Sequence, residues 1–207
     1  MALAACSAPT RPDSGSKSGP KSQPTTLKLE QVTSGLTIPW ELAFTPDGSL
    51  YFTERPGRVD KLTPAGKLVP IPFQQPHDVY QDAESGLMGM ALAPSFPDSP
   101  LIYLCYSYLD EEGHPRTQIA RFTLEEGALA DQKTLLVFPD AGSHNGCRLA
   151  FGPDGRLYGT IGDFAHPQDA QDLGVLAGKT VRINPDGSIP PDNPFIGQAG
   201  ARPEIWT

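Results

Sequence analysis

The chain has 207 residues, a net charge of −8 and 19% charged residues, which suffices for one domain with a buried core. Its acidic excess lies beyond residue 28 and would repel phosphate backbones, so we expect no nucleic-acid partner. No apolar run approaches the roughly 20 residues of a membrane-spanning helix. Short apolar runs between glycine- and proline-rich turns, without sustained helical periodicity, predict an all-β fold.

The first residues resemble a bacterial lipobox. The run Leu3-Ala4-Ala5-Cys6 places a cysteine where lipoproteins are acylated, so residues 1–6 are predicted to be the remnant of a lipoprotein signal. The basic and apolar regions of a secretory signal are absent before it, so either the start codon is placed too late or the box arises by chance. Residues 7–28, rich in Ser, Pro, Gly and Lys, predict a flexible tether. We expect lipid attachment at Cys6, no other membrane contact, and a location in the bacterial cell envelope.

The remaining residues, 29–207, contain an internal repeat. Residues 42–53 (LAFTPDGSLYFT) match residues 149–160 (LAFGPDGRLYGT), and residues 90–106 form a looser copy. Each copy predicts a hairpin, because proline presets φ at the turn and glycine accepts the positive φ that follows. A second turn follows each copy, so each unit is predicted to contain four strands in meander order.

Four-stranded units repeated at about 40–50 residues are typical of β-propellers, which need roughly 4–8 blades to close a ring. The turn prolines at 46, 94 and 153 define about three blades, and residues 203–207 are predicted to enter a fourth. We therefore expect residues 29–207 to form a partial β-propeller and the chain to be a fragment of a longer protein.

The repeat also predicts which residues share one rim of the propeller. Because the strands of a hairpin are antiparallel, the first strand starts at the end where the second one stops. Counting back from the turn prolines gives Thr37, Glu84 and His144. The second strands stop at residues 53–55, 107–108 and 162–163. This rim is rich in polar groups and is the expected place of a functional site.

His144 and Asp163 flank one predicted hairpin and are expected to meet. A carboxylate bound to one imidazole nitrogen fixes the tautomer and raises the basicity of the other nitrogen, which can then accept a substrate proton. Spacing alone leaves a purely structural His–Asp hydrogen bond equally open.

Eight sequence blocks carry a family resemblance over about residues 30–207. They are PWELAF (39–44), TERPGR (53–58), ESGLMG (84–89), SHNGCRLAFGPDG (143–155), TIGD (160–163), LAGK (176–179), NPDG (184–187) and EIWT (204–207). Together they resemble the glucose/sorbosone dehydrogenase family, the soluble quinoprotein aldose dehydrogenases. The resemblance implies a six-bladed propeller that binds pyrroloquinoline quinone (PQQ) and calcium over its central axis.

The resemblance also implies roles for the rim residues. His144 would take the proton from the anomeric hydroxyl of an aldose while hydride passes to the quinone, which yields a lactone and requires a further electron acceptor. Asp163 would orient His144 and stabilise its charged form, and Glu84 would contact the cofactor. The groups that bind calcium and the cofactor carboxylates would belong to blades outside this sequence. We therefore assign no metal ligand here and expect the chain alone to be inactive.

Cys105 and Cys147 lie in predicted strands and are interpreted as inert core residues; a disulfide between them would also fit, and spacing does not decide. Cys147 stands where the family has a second glycine after the histidine, so its side chain is either tolerated or narrows the cofactor pocket. Trp40 is expected to pack in the core or at the rim, and Glu54 to pair with Arg55.

Two other functions stay open. A six-bladed metal-dependent sugar lactonase would need several Glu, Asn and Asp ligands converging on the axis, and Thr37, Glu84 and His144 do not supply that set. A non-catalytic envelope propeller that binds a partner is compatible with the same fold. The residues around His144 favour the dehydrogenase.

Overall fold

The computed structural model describes residues 27–73 and 79–207. The chain divides into two units, residues 1–31 and residues 32–207. The described part of the first unit, residues 27–31, has no regular secondary structure. The predicted lipid attachment site Cys6 lies outside the described residues. Within the described ranges, none of the helical segments has the length and apolar character needed to cross a bilayer.

Antiparallel sheets, which we call blades one to three, build the described part of the second unit. Blade one contains β1 (Pro39–Phe44), β2 (Leu50–Glu54), β3 (Arg58–Leu62) and β4 (Leu68–Ile71). Blade two contains β5 (Leu87–Leu92), β6 (Leu101–Leu109), β7 (Pro115–Glu125) and β8 (Ala128–Pro139). Blade three contains β9 (Gly146–Phe151), β10 (Leu157–Ile161) and β11 (Lys179–Ile183), and a 3-10 helix spans Pro167–Gln171. Each blade is a meander, which confirms the predicted propeller architecture.

The repeated Pro-Asp-Gly segments form the predicted hairpin turns. In blade one, Gly48 has a φ of 80° and the Asp47 carboxylate accepts the Ser49 amide at 3.0 Å. In blade three, Gly155 has a φ of 70° and Asp154 accepts the Arg156 amide at 3.1 Å. The aspartate side chain thus stabilises a turn whose positive φ favours glycine.

Blade three departs from the predicted four-stranded unit. Residues 188–204 contain no strand, and Ile205 forms an isolated antiparallel bridge to Val181 of β11. Prolines 190, 191 and 194 interrupt this segment, and proline lacks the N–H that a strand ladder requires. The prediction that residues 203–207 enter a fourth blade is wrong, because residues 204–207 bind the outer strand of blade three: the Arg182 amide donates to the Glu204 carbonyl and the Trp206 amide to the Thr180 carbonyl, both at 2.8 Å.

Blade two lies between the other blades and is buried on both faces. Along β6, Ile102 and Leu104 belong to the core shared with blade one. Tyr103 and Cys105 belong to the core shared with blade three. Successive side chains of a strand point to opposite faces, so the uninterrupted apolar run LIYLCY is what a strand between two cores requires.

The first strands of blades two and three approach closely at Gly89. A Cβ there would lie 1.9 Å from the Cys147 carbonyl oxygen, so a side chain cannot be accommodated. The Cys147 side chain is buried and forms a disulfide with Cys105, with Cα atoms 5.7 Å apart. Both cysteines lie in the core as predicted, and of the two alternatives left open by the sequence the structure shows the disulfide. The disulfide joins β6 of blade two to β9 of blade three.

The expected ion pair between Glu54 and Arg55 is also wrong. Glu54 is buried and binds the Arg58 guanidinium at 2.6 Å, whereas the Arg55 guanidinium lies 5.9 Å from the centre of the Trp40 ring. Trp40 is 43% exposed, so it lies at the rim and not in the core. Its contact with Arg55 is a cation–π interaction.

Asp60 is a buried carboxyl beside Glu54 and should make stability depend on pH. Burial, together with the neighbouring Glu54 carboxyl, raises the pKa of Asp60 from 3.8 to about 6. Folding therefore favours protonated Asp60, and this stabilisation is complete below the unfolded pKa and is lost as the pH rises through about 6. When the pH is raised from about 5 to about 8, the free energy of unfolding should decrease in both proteins. The decrease should be roughly 1 kcal/mol smaller in Asp60→Asn than in the wild type.

Urea unfolding at the two pH values measures this difference. Asp98→Asn, which alters an exposed aspartate, is the matched control and should follow the wild type. Equal pH dependence in the wild type and Asp60→Asn would show that Asp60 is ionised throughout.

Candidate active site

Three predicted rim residues converge where the chain enters or leaves its blades. Glu84 precedes β5, His144 precedes β9, and Asp163 follows β10. His144 Nδ1 lies 2.7 Å from Asp163 Oδ1, and the His144 amide donates to Glu84 Oε2 at 2.6 Å. The structure therefore brings these side chains together across the boundary of blades two and three.

The backbone around His144 has an unusual conformation that determines where the ring lies. His144 has a φ of 51°, in the left-handed region that few residues other than glycine adopt. Gly162 packs against this turn, since a Cβ on it would lie 1.5 Å from the His144 carbonyl oxygen. Glycine at 162 thus allows the end of β10 to approach, which places the next residue, Asp163, beside the imidazole.

Asp163 controls the protonation of His144. With Nδ1–H donating to the carboxylate, the Nε2 atom is left as the acceptor. The hydrogen bond that His144 donates to Asp163, together with the negative charge of Asp163, raises the pKa of His144, and the charge of Glu84 adds to this effect. The His144 side chain is 58% exposed, so Nε2 is accessible to a ligand. The pair can therefore accept a proton from a bound molecule and hold it as an imidazolium.

Two other predicted features lie apart from this pair. The Thr37 amide donates to the Glu54 carboxylate, so Thr37 belongs to the rim of blade one and does not join the His144 group. The Cys147 side chain is directed into the interior, toward Cys105. Of the two alternatives for Cys147, this placement favours a tolerated side chain, because the disulfide holds it in the core.

A cluster that sequence analysis missed lies in the turn between β6 and β7. Asp110, Glu112 and His114 bring potential ligand atoms within 4.8 Å of one another. Asp110 already binds Arg116 at 3.0 Å and accepts the His114 amide at 2.8 Å. These contacts account for the cluster as a stabilised turn.

Comparison with known proteins bears directly on this site. The sequence profile of the Glucose / Sorbosone dehydrogenase family matches residues 36–207, which include Glu84, His144 and Asp163. The aldose sugar dehydrogenase YliI of Escherichia coli is 36% identical over 190 residues, which cover 89% of this chain and 51% of YliI. The quinoprotein glucose dehydrogenase B of Acinetobacter calcoaceticus is 32% identical over 205 residues, covering 85% of this chain and 42% of that protein.

A solved structure agrees with this family match. The PQQ-bound aldose sugar dehydrogenase of Streptomyces coelicolor superposes with a TM-score of 0.74 at 30% identity, over 86% of this chain and 52% of that one. The chain spans about half the length of the curated relatives that it matches. The profile match extends over most of the sequence and includes every block around His144. This chain belongs to the glucose/sorbosone dehydrogenase family.

Proposed function

We propose that the protein is a quinoprotein dehydrogenase that oxidises the anomeric hydroxyl of aldoses to lactones, with PQQ as hydride acceptor and calcium as its metal. The observation that carries the proposal is the exposed His144 imidazole, bonded through Nδ1 to Asp163 at 2.7 Å, which leaves Nε2 as its acceptor atom. Relatives named as aldose sugar and glucose dehydrogenases support the substrate class.

The rim residues fit one part of the quinone. The Glu84 carboxylate, which accepts the His144 amide, and the exposed imidazole of His144 would contact the quinone and the sugar. The cofactor carboxylates would need cations, but Arg58 binds Glu54. Lys179 donates to backbone carbonyls at 2.8 and 2.9 Å. The fit is therefore partial, and Glu84 is the residue that we assign to the cofactor in this chain.

The chemistry of this chain centres on proton transfer. When bound, the quinone would supply the acceptor for the hydride of the anomeric carbon. His144 Nε2 accepts the hydroxyl proton of the sugar as that hydride leaves, so the lactone carbonyl forms without a free alkoxide. Asp163 stabilises the resulting imidazolium, and Glu84 holds the His144 amide so that the ring keeps its place.

Dye reduction by the full gene product tests the function. With PQQ and calcium added, glucose and other aldoses should reduce the dye, and omission of PQQ should abolish the reaction. Hydrolysis of gluconolactone without quinone would instead favour a lactonase. Failure of both reactions would favour the non-catalytic partner-binding propeller.

We also propose that the protein resides in the cell envelope, with Cys6 as lipid attachment site and an electron acceptor outside the cytoplasm. The Cys105–Cys147 disulfide supports this location, because disulfides persist in oxidising compartments. Cys6→Ala should release the protein from the membrane fraction, and unchanged fractionation would argue against the anchor.

A further inference from the structure

A buried carboxylate, Asp140, lies beneath the rim at the end of β8. Its oxygens accept hydrogen bonds from Ser85 Oγ (2.7 Å), Ser107 Oγ, Thr117 Oγ1 (2.9 Å), the Gly142 amide (2.8 Å) and Asn145 Nδ2 (3.4 Å). Ser107 and Thr117 are paired residues of β6 and β7, so the acceptor sits on the rigid part of blade two. Asp140 thus connects this sheet to both loops that carry rim residues.

Three partners of Asp140 lie within two positions of a proposed site residue in the chain. Ser85 follows Glu84 in the chain, and Gly142 and Asn145 enclose His144. Further bonds join the two loops, since the Glu84 amide donates to the Gly142 carbonyl at 2.9 Å and Asn145 Nδ2 donates to Ser85 Oγ at 3.0 Å. Displacement of Asp140 would therefore move both loops together.

Asp140 is held as an anion by neutral donors. Burial by itself would raise its pKa, but hydrogen bonds from Ser107, Ser85, the Gly142 amide and Thr117 outweigh burial and hold the pKa below its usual value. Among the described residues Asp140 forms no ion pair. A carboxylate accepts at both oxygens, so it is suited to a place where several donors converge.

The loop from Asp140 to β9 has a backbone conformation that requires stabilising contacts. Gly142, His144 and Gly146 have φ values of 77°, 51° and 73°, all in the left-handed region. For a residue other than glycine this conformation costs about 1–2 kcal/mol, so it persists only where surrounding contacts determine it. The Asp140 bonds on both sides of His144 supply those contacts.

We propose that Asp140 is a positioning residue that holds the His144 and Glu84 loops in register, so that the imidazole remains on Asp163. Its catalytic meaning rests on the proposed function, whereas its effect on the His144–Asp163 pair does not. Buried hydrogen-bonded groups behind an active residue commonly fix its orientation in this way.

Titration of His144 by NMR tests the proposal without any cofactor. In the full gene product, Asp140→Ala should lower the pKa of His144 toward the value of about 6.5 of a free imidazole, because the ring leaves Asp163 for part of the time. Asp140→Asn keeps one acceptor oxygen and should lower the pKa of His144 by a smaller amount. If the alanine variant does not fold, the asparagine variant provides the test.

Asp154→Ala is the matched control, because Asp154 also accepts several hydrogen bonds in blade three but lies in the β9–β10 turn, away from the site. It should lower stability and leave the His144 pKa unchanged. A His144 pKa equal to that of the wild type in a folded Asp140 variant would overturn the proposal.

Where the protein oxidises aldoses, kcat of Asp140→Ala should fall on the order of 10²-fold, with KM little changed. Absence of oxidation in every variant would contradict the proposed function and leave the NMR result valid.

Discussion

Replacement of His144 by alanine is expected to lower kcat for aldose oxidation by about 10²- to 10⁴-fold, the usual contribution of a positioned general base. The effect follows from the loss of Nε2, the acceptor that Asp163 keeps free by binding Nδ1 at 2.7 Å. Steady-state dye reduction by the full gene product measures kcat, and titration with PQQ shows separately whether the cofactor still binds.

His114→Ala is the control for this experiment. His114 is another exposed histidine near an aspartate, 3.7 Å from Asp110, but it lies in the β6–β7 turn outside the proposed site. This variant should oxidise aldoses at the wild-type rate. If His144→Ala kept more than about a tenth of the wild-type kcat with cofactor bound, the general-base assignment would fail.

Removal of the disulfide is expected to cost about 4 kcal/mol of unfolding free energy, the chain-entropy value for a crosslink spanning 42 residues. The crosslink joins β6 to β9 and therefore closes a long loop in the unfolded chain, which lowers the entropy of that state. Cys105→Ala/Cys147→Ala should therefore unfold at a lower urea concentration than the oxidised wild type.

A reducing agent provides the control for the disulfide. Dithiothreitol should bring the wild type close to the double variant and should leave the double variant unchanged. An unfolding midpoint that does not respond to reduction would show that the crosslink contributes no stability. A response in the double variant would assign the effect to something other than this disulfide.

The hairpins and the shared rim could be predicted because their signals are local. Proline, aspartate and glycine at fixed turn positions set the turns at Gly48 and Gly155, and antiparallel pairing then places His144 and Asp163 at one end of their hairpin. The same antiparallel pairing predicts the observed ion pair of Glu54 with Arg58. Glu54 and Arg58 face each other in the register of β2 and β3, whereas adjacent residues of a strand point to opposite faces.

The Asp140 network and the disulfide could not be predicted in the same way. The donors to Asp140 come from segments up to 55 residues away in sequence, so no spacing marks them. Cys105 and Cys147 meet because neighbouring blades pack closely at Gly89, which is a property of tertiary structure. The strand pattern mispredicts the end of blade three, because prolines 190, 191 and 194 interrupt the segment that would form its fourth strand.

The most direct test of the central claim is the pH dependence of kcat/KM for an aldose, measured for the wild type and Asp163→Asn. His144 must be neutral to accept the proton, so kcat/KM should fall as the pH decreases through its raised pKa. Asp163→Asn removes the charge that raises this pKa, so the acid limb should move to lower pH while the maximal rate falls. An acid limb at the same pH in both proteins would contradict the assignment of His144 and Asp163 as the proton-accepting pair.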